Sequence, residues 1–563
     1  MVKLRYQETE DFLIFNKPIG LNSHSVDFDK PGLAEYLTEK LSLNLHVVSR
    51  LDQSTSGLIL FAKDHSVSRI NSEWNGERIE KHYLFLTSSL PKELPLPIEN
   101  QQLTVKSLIT QQGKNFISDL FSKEPNAETV FTFKTKISKY YLWEAQLKTG
   151  KTHQIRLHCQ NMGMPILGDK IYGGESFYRL ALHSQRLVFN EQVYISEPPV
   201  WAGNQAKQFL SLAKDQQVLL ESIEFRNNIF LFEEQDALRW LHQEISGLKI
   251  DQYGEVIFIY DYGKISNLEQ LIPLIVKTFP KKNHYLRKMQ NRGDDPNENL
   301  LFSIDPLNFS LRPVLEGKTW IAQENNCKYE LRSHQGLSPG LFLDQRENRL
   351  WVKENSWNKS VLNLFSYTGG FSLAAGLGGA RSVETVDVSK NFVEWSKINF
   401  QHNHMLNNLK NEASKTDSEI QDITSKDTEK YFFWVQDSLF FLKMAIKKNR
   451  TWDIVICDPP TFGRSSKGVF QIEKNFLEML DLLLLVTANK GHLLISTNYE
   501  KWDQKTFEEK ISKHIQVKKT NLTNVISKNE IPQFKLIKSK LQSLDFDFPH
   551  QVSLLKSIII AKN

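Results

Sequence analysis

A chain of 563 residues is long enough for three or four domains, each with a hydrophobic core of its own. Hydrophobic residues make up 40% of the chain and aromatic residues 11%, which are the values of an ordinary globular protein. The net charge of +5 permits a polyanionic partner such as RNA, but charge alone does not establish one.

Three further features of the sequence bear on where the protein works. No apolar run approaches the length of a membrane span, since the stretch 482–486 is soon interrupted by polar residues. The amino-terminal segment MVKLRYQETEDF is charged and lacks the apolar region of a secretory signal, so we expect a cytoplasmic protein without a membrane partner. The cysteines form no metal spacing and fit a reducing compartment: Cys159, Cys327 and Cys457.

Near the amino terminus, a single carboxylate lies between an arginine and a Ser/Thr/Gly turn. The segment SRLDQSTSGLILFAKD, residues 49–64, places Arg50 two residues before Asp52 and continues into an apolar run typical of a buried strand. Because the neighbouring cation should keep Asp52 ionised at neutral pH, Asp52 is a candidate nucleophile. Taken alone, the Arg-x-Asp tripeptide also fits a surface ion pair ahead of a strand.

The longer pattern resembles the catalytic motif of the RluA-like pseudouridine synthases, which isomerise uridine in ribosomal and transfer RNA. Other motifs that resemble this family occur in the required order: KPIG at 17–20, KHY at 81–83, TGKTHQIRLH at 149–158 and GMPILGD at 163–169. Two positions depart from the family pattern, with Ser49 in place of the usual histidine and Lys151 in place of the usual arginine. The resemblance implies a mixed α+β synthase domain over residues 1–200 that needs no cofactor.

The same resemblance implies a role for each matching residue. Asp52 either attacks the ribose of a uridine that has left its stack or abstracts the 2′ proton, and the sequence leaves both routes open. Tyr83 packs against the flipped base and can relay the C5 proton. Arg156 pairs with the Asp52 carboxylate, and Arg50 helps to expel the base or contacts phosphates. His153 and His158 lie five residues apart without a carboxylate, so we expect no metal here.

The middle of the chain is less informative. Residues 190–225, with Pro198 and Pro199, are interpreted as a connection, and residues 225–312 as a small α+β linker or RNA-binding domain. Its centre, ALRWLHQEISGLKIDQYGEVIFIYDY, predicts a helical stretch, a glycine turn and an alternating strand at 256–260. This arrangement resembles the small domain that precedes the catalytic domain in one group of large-subunit ribosomal RNA methyltransferases. An inert spacer is the alternative.

The carboxy-terminal third shows a clearer pattern. The stretch VLNLFSYTGGF, residues 361–371, predicts an apolar strand, a glycine turn and the start of a helix, and Asp387 follows a second strand. The turn lacks the full G-x-G-x-x-G spacing, which argues against NAD and favours S-adenosylmethionine (SAM). The predicted cofactor-binding residues are Asn363, Phe365, Tyr367, Gly369, Asp387, Asp437 and Asp458.

These motifs, with GLFLDQR at 340–346 and DPPTFGRSSK at 458–467, resemble class I methyltransferases of ribosomal RNA over residues 315–563. The nearest resemblance is to the guanine-N7 methyltransferase module of a bifunctional large-subunit enzyme and to its cytosine-C5 relatives. It implies an α/β Rossmann-like domain with Asp458 at the reacting base. Phe462 stacks on that base, and Arg346 also contacts the substrate.

The chemistry of each candidate narrows the choice of the methylated atom. Cytosine C5 methylation needs a thiolate, but the segment that should carry it reads Ser496-Thr497-Asn498-Tyr499. Guanine N7 carries its own lone pair and needs only in-line placement against the methyl group, which favours N7. Guanine N2 stays open, because Asp458 could accept an amino proton.

The sequence therefore predicts a fused pseudouridine synthase and RNA methyltransferase acting on large-subunit rRNA. A polar segment, residues 403–430, is expected to be a flexible insertion. One alternative is that only one half is active and the other binds RNA. Another is a non-catalytic ribosome-assembly factor. The target nucleotides and the oligomeric state are left open.

Overall fold

The computed structural model describes residues 2–25, 32–74, 79–94, 96–289, 301–335, 338–406, 430–465, 468–523, 534–537, 543–546 and 555–562. In these ranges the chain folds around three large sheets, one in each of the predicted regions. No helix in the described ranges is long and apolar enough to cross a membrane. The predicted insertion at 403–430 falls mostly on residues 407–429, which lie outside the described residues.

The amino-terminal region is strand-rich, as predicted. Its strands are β1 (Lys3–Leu4), β2 (Tyr6–Glu8), β3 (Phe12–Lys17), β4 (Leu45–Val47), β5 (Ser56–Lys63), β6 (Glu80–Thr87), β7 (Gln102–Gln112), β8 (Asn115–Asp119), β9 (Ala127–Ile137), β10 (Tyr140–Leu147), β11 (Leu182–Phe189) and β12 (Gln192–Ile195). Its helices are α1 (Leu33–Leu41), α2 (Val67–Trp74) and α3 (Gln154–Asn161), with a 3-10 turn at Asp64–Ser66.

These strands form a mixed sheet in the order β2-β3-β5-β11-β6-β10-β9-β7-β8, with β4 also paired to β5 and β12 to β11. The apolar run of β5 is buried along nearly its whole length, since β5 is a central strand with antiparallel β3 on one side and parallel β11 on the other. The turn that carries Asp52 enters this strand directly. The carboxylate is therefore attached to the most buried part of the domain.

Two helices lead to the second sheet, α4 (Ala206–Leu210) and α5 (Lys214–Ile229). The next elements are β13 (Phe230–Leu231), β14 (Ala237–Leu241), β15 (Leu248–Tyr253), β16 (Val256–Asp261), α6 (Leu268–Thr278), β17 (Asn283–Lys288), β18 (Leu301–Ile304) and β19 (Leu311–Pro313). Strands β14 to β19 pair in chain order, and β13 pairs with β1.

The structure corrects two details of the predicted linker domain. The stretch ALRWL, predicted to be helical, is strand β14, because Leu238, Trp240 and Leu241 are all buried in the core beneath its antiparallel pairing with β15. The helix comes later, as α6. The predicted boundary at residue 225 also falls inside α5, so the expected connection contains a packed helix. The strand predicted at 256–260 is confirmed as β16.

The last region contains β20 (Thr319–Glu324), β21 (Cys327–Arg332), α7 (Arg346–Asn355), β22 (Ser360–Leu364), α8 (Gly370–Leu377), β23 (Ser382–Asp387), α9 (Lys390–His402), β24 (Tyr431–Val435) and α10 (Ser438–Lys447). It continues with β25 (Trp452–Cys457), β26 (Phe462–Ser465), β27 (Gly468–Gln471), α11 (Ile472–Val486), β28 (Thr487–Thr497), α12 (Gln504–Thr523), β29 (Phe534–Ile537) and β30 (Lys556–Lys562). A 3-10 turn at Leu343–Gln345 precedes α7.

The third sheet has the order β24-β23-β22-β25-β28-β30-β29, in which β22 to β25 and β28 are parallel and β30 is antiparallel to both of its neighbours. The chain moves outward from β22 to β24 and then returns to the other side of β22 with β25. The crevice at the carboxyl ends of β22 and β25 is therefore the topological switch point where such sheets bind ligands. The predicted α/β Rossmann-like fold is confirmed.

Candidate active sites

The turn that carries Asp52 is held rigidly by backbone hydrogen bonds. The Thr55 N–H donates to the carbonyl of Asp52 over 3.0 Å. One residue earlier, Ser23 Oγ accepts from the Leu51 N–H (3.0 Å) and donates to the Leu51 carbonyl (2.9 Å). The Gly20 N–H donates to the carbonyl of Gln53. Asp52 is therefore bracketed on both sides by fixed backbone.

Lys17, the first residue of the KPIG motif, supports this turn from inside the domain. Its side chain is fully buried, and Nζ donates to the carbonyls of Pro18 (2.8 Å), Leu21 (2.9 Å) and Gln53 (3.4 Å). Burial, helped by the positive charge of Arg179, lowers the pKa of Lys17 to about 7, although Asp52 opposes the shift. Sequence reasoning treated this motif only as a family resemblance, and no local pattern indicated that the ammonium group binds three carbonyls.

Asp52 faces Arg156, as the resemblance predicted. Arg156 Nη1 lies 3.5 Å from Asp52 Oδ2, while its Nε and Nη2 each donate to Asp169 over 2.8 Å. Burial alone would lower the pKa of Arg156, but Asp169 and then Asp52 raise it above its ordinary value. Asp169 is the residue that sequence reasoning missed, although it closes the GMPILGD motif. It fixes the guanidinium with one nitrogen turned towards Asp52.

The remaining predicted synthase residues meet Asp52 in a cleft of about 730 Å³. Tyr83 lines this cleft and is only 8% exposed. Burial raises the pKa of the Tyr83 phenol, the Asp52 charge raises it further, and a hydrogen bond with Ser184 opposes both. Tyr83 is therefore a protonated phenol at neutral pH, and it can move a proton only by giving up its own while accepting another.

The position of Arg50 differs from the prediction that its side chain lies beside Asp52. It lines the cleft and is exposed, and within the described residues it forms no ion pair with Asp52. The expectation that Arg50 is the cation beside Asp52 is therefore wrong, since Arg156 is the cation there, with the His153 ring next to the same carboxylate oxygen. The backbone explains this outcome, because side chains two residues apart on an extended segment point the same way only in a regular strand. Its exposed position leaves Arg50 available to a phosphate or a base.

The two histidines of the TGKTHQIRLH motif have separate environments. His158 is fully buried, with Nδ1 at 2.9 Å from Thr129 Oγ1 and Nε2 at 2.8 Å from Ser107 Oγ, and burial lowers its pKa to about 4. His153 instead lines the cleft. The described residues contain no group of three His, Cys, Asp or Glu side chains that could hold a metal ion.

In the third sheet, the loop after β22 brings several predicted cofactor residues together. Phe365, Tyr367 and Gly369 all have left-handed backbone angles, and a Cβ added at Gly369 would lie 2.7 Å from Ser396 Oγ, so only glycine fits there. Both oxygens of Asp387 accept backbone hydrogen bonds, from Tyr367 (2.8 Å) and from Ser389 (2.9 Å). The end of β23 is thereby fixed against the loop that follows β22.

Two buried polar groups of this loop are relevant to a ligand. Burial raises the pKa of Asp387, although hydrogen bonds from the backbone oppose the shift. Ser366 Oγ is buried and has no hydrogen-bond partner among the described groups. Asn363 lies beneath the loop, where it donates to Ser372 Oγ over 2.9 Å. A polar ligand at this crevice would satisfy the Ser366 hydroxyl and find Asp387 ready to accept hydroxyl hydrogens.

Asp437 begins α10 at the next strand end. Its side chain accepts from the Phe440 N–H over 3.0 Å and so caps the helix, while the neighbouring Ser438 Oγ accepts from the Phe365 N–H over 3.3 Å. These contacts bring the Asp437 turn next to the loop after β22. The predicted placement of Asp437 at the cofactor crevice is therefore consistent with the fold.

Asp458 follows β25 and is oriented by a relay of side chains. Ser496 Oγ donates to Asp458 Oδ1 (2.7 Å), Gln345 Nε2 donates to Ser496 Oγ (3.0 Å), and Asn348 Nδ2 donates to Gln345 Oε1 (2.7 Å). Burial is the main cause that raises the pKa of Asp458 to about 6. Phe462 is 49% exposed at the start of β26, so its ring is accessible to a base. Sequence reasoning missed the relay, because Gln345 and Ser496 lie far from Asp458 in the chain.

Arg346 requires a correction. It was predicted to contact the substrate, but its side chain is only 3% exposed. Nη1 lies 3.0 Å from both oxygens of Asp545, Nη2 donates to the carbonyl of Ala237 (2.9 Å), and Nε lies 3.7 Å from Glu324. These partners hold the guanidinium in the interior, where Nε is buried without a hydrogen-bond partner among the described residues. The residue holds parts of the chain together and does not face a substrate.

Two protein families match separate parts of the chain. Residues 11–161 match the family described as RNA pseudouridylate synthase. Residues 309–516 match the family described as S-adenosylmethionine-dependent methyltransferase. The chain therefore combines a region similar to RNA pseudouridylate synthases with a region similar to SAM-dependent methyltransferases, which we call the synthase domain and the methyltransferase domain. At the crevice of the third sheet, the buried, unpartnered Ser366 hydroxyl and the Asp387 carboxylate are polar groups that fit a SAM molecule.

Similar proteins are known for parts of the chain. A Bacillus subtilis protein, YwbD, named provisionally as a ribosomal RNA large subunit methyltransferase, is 31% identical over 49% of this chain and 65% of its own length. Ribosomal RNA large subunit methyltransferase K of Neisseria meningitidis is 31% identical over 38% of this chain and 53% of its own length. This chain thus spans less than two thirds of the length of either relative.

A solved structure, assigned provisionally as a SAM-dependent methyltransferase from Streptococcus mutans, is 19% identical to this chain. It covers 85% of the chain and 95% of its own length with a TM-score of 0.47. A similarity at this level gives no information about the site.

Proposed function

We propose that this chain is a bifunctional RNA-modifying enzyme, which converts uridine to pseudouridine with its first domain and methylates a base with its last. The observation that carries the proposal is the Asp52 carboxylate 3.5 Å from Arg156, in a cleft that also holds Tyr83. The proposed substrate is large-subunit ribosomal RNA. Support for this RNA comes from the printed names of the relatives, which are ribosomal RNA large subunit methyltransferases.

In the synthase domain, Asp52 is the proposed reacting group, and Arg156 orients it. A uridine must leave its stack to enter the cleft, at a cost of a few kcal/mol, so loops and unpaired segments are the favoured targets. Tyr83 lines the same cleft and is proposed to pack against the uracil released from its ribose. Its phenol is protonated at neutral pH and can assist removal of the C5 proton. Arg50, exposed at the cleft, can contact the RNA backbone.

In the methyltransferase domain, SAM supplies an electrophilic methyl group when it is bound. Asp387 is proposed to accept the ribose hydroxyls and Asp437 the adenine amino group, while the loop after β22 approaches the cofactor through its backbone at Gly369. Asp458, fixed by Ser496, is proposed to orient the target base. Phe462 supplies an exposed ring on which that base can stack.

We propose guanine N7 as the methylated atom. Methylation at C5 of cytosine needs an accessible thiolate, but Cys457 is fully buried with Sγ 3.6 Å from Met479 Sδ, and burial raises its pKa far above the ordinary value. The segment expected to carry the cysteine of the cytosine enzymes, Ser496-Thr497-Asn498-Tyr499, contains none. Because guanine N7 is nucleophilic without a base, a site without a thiolate supports N7.

Guanine N2 is the second candidate. The pKa of Asp458 is raised to about 6, which is close to that of an efficient proton acceptor, and Ser496 engages only Oδ1. The second oxygen could therefore accept a proton from an exocyclic amine. The two candidates differ in what they require of Asp458, because N7 methylation releases no proton from the reacting nitrogen.

The test is nucleoside mass spectrometry on unmodified large-subunit rRNA incubated with the purified protein, with and without SAM. We expect pseudouridine in both samples and 7-methylguanosine only with SAM. Asp52→Asn should abolish pseudouridine alone and Asp387→Ala methylation alone, so each variant is the control for the other. N2-methylguanosine would favour the second candidate, and 5-methylcytidine would contradict the interpretation of Ser496.

Two further outcomes would contradict the bifunctional proposal. One product without the other would leave a single active domain with an RNA-binding partner domain. If neither product forms on rRNA or tRNA, and Asp52→Asn with Asp387→Ala retains every function of the parent in cells, the chain is a non-catalytic assembly factor.

A further inference from the structure

His153 lies beside the Asp52 carboxylate, although no motif role was assigned to it. It precedes α3 with a left-handed backbone (φ of 56°), which turns its ring towards the cleft. Nε2 is 3.6 Å from Asp52 Oδ2, and Nδ1 is 2.8 Å from the Tyr172 hydroxyl. The edge of Phe116 packs against the ring, with 5.5 Å between centroids. His153 therefore connects the carboxylate to a fixed tyrosine.

The contacts of Asp52 are confined to one of its two oxygens. Arg156 Nη1 and His153 Nε2 both approach Oδ2, at 3.5 Å and 3.6 Å. Among the described residues, no donor contacts Oδ1. At 3.6 Å, His153 Nε2 lies just beyond hydrogen-bond distance of Oδ2 and acts on that oxygen through its electrostatic attraction, beside the longer-reaching Arg156 guanidinium.

The protonation state of His153 follows from the groups around it. Burial lowers the pKa of His153, Asp52 and Asp169 raise it, and Arg156 lowers it, with a lowered value as the result. The imidazole is therefore neutral at pH 7. A ring nitrogen that faces a carboxylate must carry the proton, since a lone pair there would repel the oxygen. The Tyr172 hydroxyl then donates to Nδ1 and fixes this tautomer.

We propose that His153 is a positioning residue of the synthase site, whose Nε2–H faces Asp52 Oδ2 beside Arg156 and hydrogen-bonds to it when the substrate is bound, which leaves Oδ1 as the reacting oxygen. This inference rests on the proposed synthase function. In the attack route, an Oδ1–C1′ bond forms while the C1′–N1 bond breaks and its electron pair leaves with uracil. In the elimination route, Oδ1 takes the 2′ proton, and the released C–H pair forms the C1′–C2′ double bond as uracil leaves.

The kinetic test uses two substitutions that fit the left-handed backbone to different extents. His153→Asn suits this conformation but is too short to reach Asp52, so we expect kcat for pseudouridine formation to fall about 10- to 100-fold with little change in KM. His153→Gln restores a neutral N–H near the position of Nε2 and should recover most of the loss. A rise in KM without a fall in kcat, an unchanged kcat in His153→Asn, or no recovery in His153→Gln would each overturn the proposal.

The matched control is His158→Asn, within the helix α3 that His153 precedes. His158 contacts Thr129 and Ser107 and does not line the cleft, so its loss should lower the unfolding temperature while leaving kcat per folded molecule unchanged. Thermal unfolding of every variant separates loss of fold from loss of rate. An equal fall in kcat for His158→Asn would mean that His153 acts only through the helix, which contradicts the proposal.

A second measurement does not depend on any activity. Imidazole ¹⁵N NMR of the labelled full chain, assigned by the signal lost in His153→Asn, should show a neutral ring protonated at Nε2. Tyr172→Phe should shift the population towards the Nδ1–H tautomer, and Asp52→Asn should lower the pKa of His153 further. A wild-type ring protonated at Nδ1 alone would overturn the inference. These results would stand even if no pseudouridine formed, so failure of the proposed function is distinguished from failure of this assignment.

Discussion

At the residue scale, the synthase site depends on one fully buried carboxylate. Asp169 has no exposed surface on its side chain and accepts two hydrogen bonds of 2.8 Å from Arg156. Its Oδ1 also accepts from the backbone N–H groups of Ile171 and Tyr172, at 3.1 Å each. Asp169 thus orients both the guanidinium that faces Asp52 and the loop that carries Tyr172.

We predict that Asp169→Ala lowers the free energy of unfolding by about 3–5 kcal/mol, because it leaves a buried guanidinium without its partner. The rate of pseudouridine formation should also fall, since Arg156 loses its orientation towards Asp52. Chemical denaturation and single-turnover kinetics measure the two effects. The control is Glu175→Ala, which removes an exposed ion pair with Lys139 and should cost less than about 1 kcal/mol. A cost for Asp169→Ala as small as that of the control would contradict the argument.

The second residue-scale prediction concerns pH. Burial raises the pKa of Asp458 to about 6, so this carboxylate becomes ionised as the pH rises through that value. If the ionised form orients the target base, the single-turnover rate of methyl transfer should rise up to about pH 7 and then stay constant. Asp458→Asn should lower the plateau and remove this pH dependence.

The matched control for that profile is Asp437→Asn. Asp437 lies at the cofactor crevice and is not part of the Asp458 relay, so the variant should weaken SAM binding and keep the acidic limb. A wild-type rate independent of pH between about 5 and 7 would show that ionisation of Asp458 does not limit the reaction.

At the scale of single elements, the close pairing of β5 and β11 sets the position of the Asp52 turn. Gly57 has φ of +110°, and a Cβ there would lie 2.2 Å from the carbonyl oxygen of Ser184. Ser184 is opposite Gly57 in the parallel register of the two strands. Any side chain at position 57 must therefore push the strands apart immediately after the catalytic turn.

We predict that Gly57→Ala destabilises the chain by about 3 kcal/mol or more, from backbone strain combined with steric overlap. Gly113→Ala is the matched control, because Gly113 also has positive φ (+62°) but nothing within 4 Å of an added Cβ. It should cost only about 1 kcal/mol from strain alone. Thermal or denaturant unfolding measures both variants, and equal costs would refute the role of close strand contact.

Elements with strong local signals were predictable from the sequence. The apolar strand, glycine turn and helix around 361–371 appear as β22, its loop and α8, because strand burial and the turn residues indicate the same structure. The stretch ALRWL was not predictable, since Ala, Leu and Arg favour helices while tertiary burial makes it β14. Only long-range pairing with β15 decides between the two.

The candidate sites show the same division. The proximity of Asp52, Tyr83 and Arg156 was predictable, because the family motifs that contain them correspond to one spatial site built from distant strands. Arg346 was predicted to face a substrate, but its partner Asp545 lies about 200 residues away and no local pattern connects them. Pairings of this kind depend on the complete fold, so the sequence pattern cannot supply them.

At the scale of the whole molecule, the short segment 543–546 lies where all three regions meet. Asp545 is fully buried against Arg346 of the methyltransferase domain, and its carbonyl accepts from Arg226 of α5 over 2.8 Å. The Leu544 N–H donates to the Tyr36 hydroxyl of the synthase domain over 3.3 Å. A Lys40–Glu347 ion pair of 2.6 Å joins α1 directly to α7 nearby. We call residues 543–546 and these partners the junction.

Electrostatics make the junction dependent on the ionised form of Asp545. Burial would raise the pKa of Asp545, but the charge of Arg346 and hydrogen bonds outweigh it and leave the pKa below its ordinary value. The stability that this pairing adds is therefore fully present at neutral pH and is lost as the pH falls through the lowered pKa.

The final prediction is that Asp545→Ala loosens contact between the two catalytic domains. Removing the carboxylate leaves Arg346 buried without its main partner, at a cost of about 3–5 kcal/mol. Hydrogen exchange measured by mass spectrometry should increase in both α1 and α7, since the segment 543–546 contacts both helices. Asp305→Ala, which removes an ion pair with the exposed Arg312, is the control and should leave both helices unchanged. An increase confined to α7 would mean that Asp545 stabilises only its own domain, and the two active sites would then be joined by the chain rather than by a packed junction.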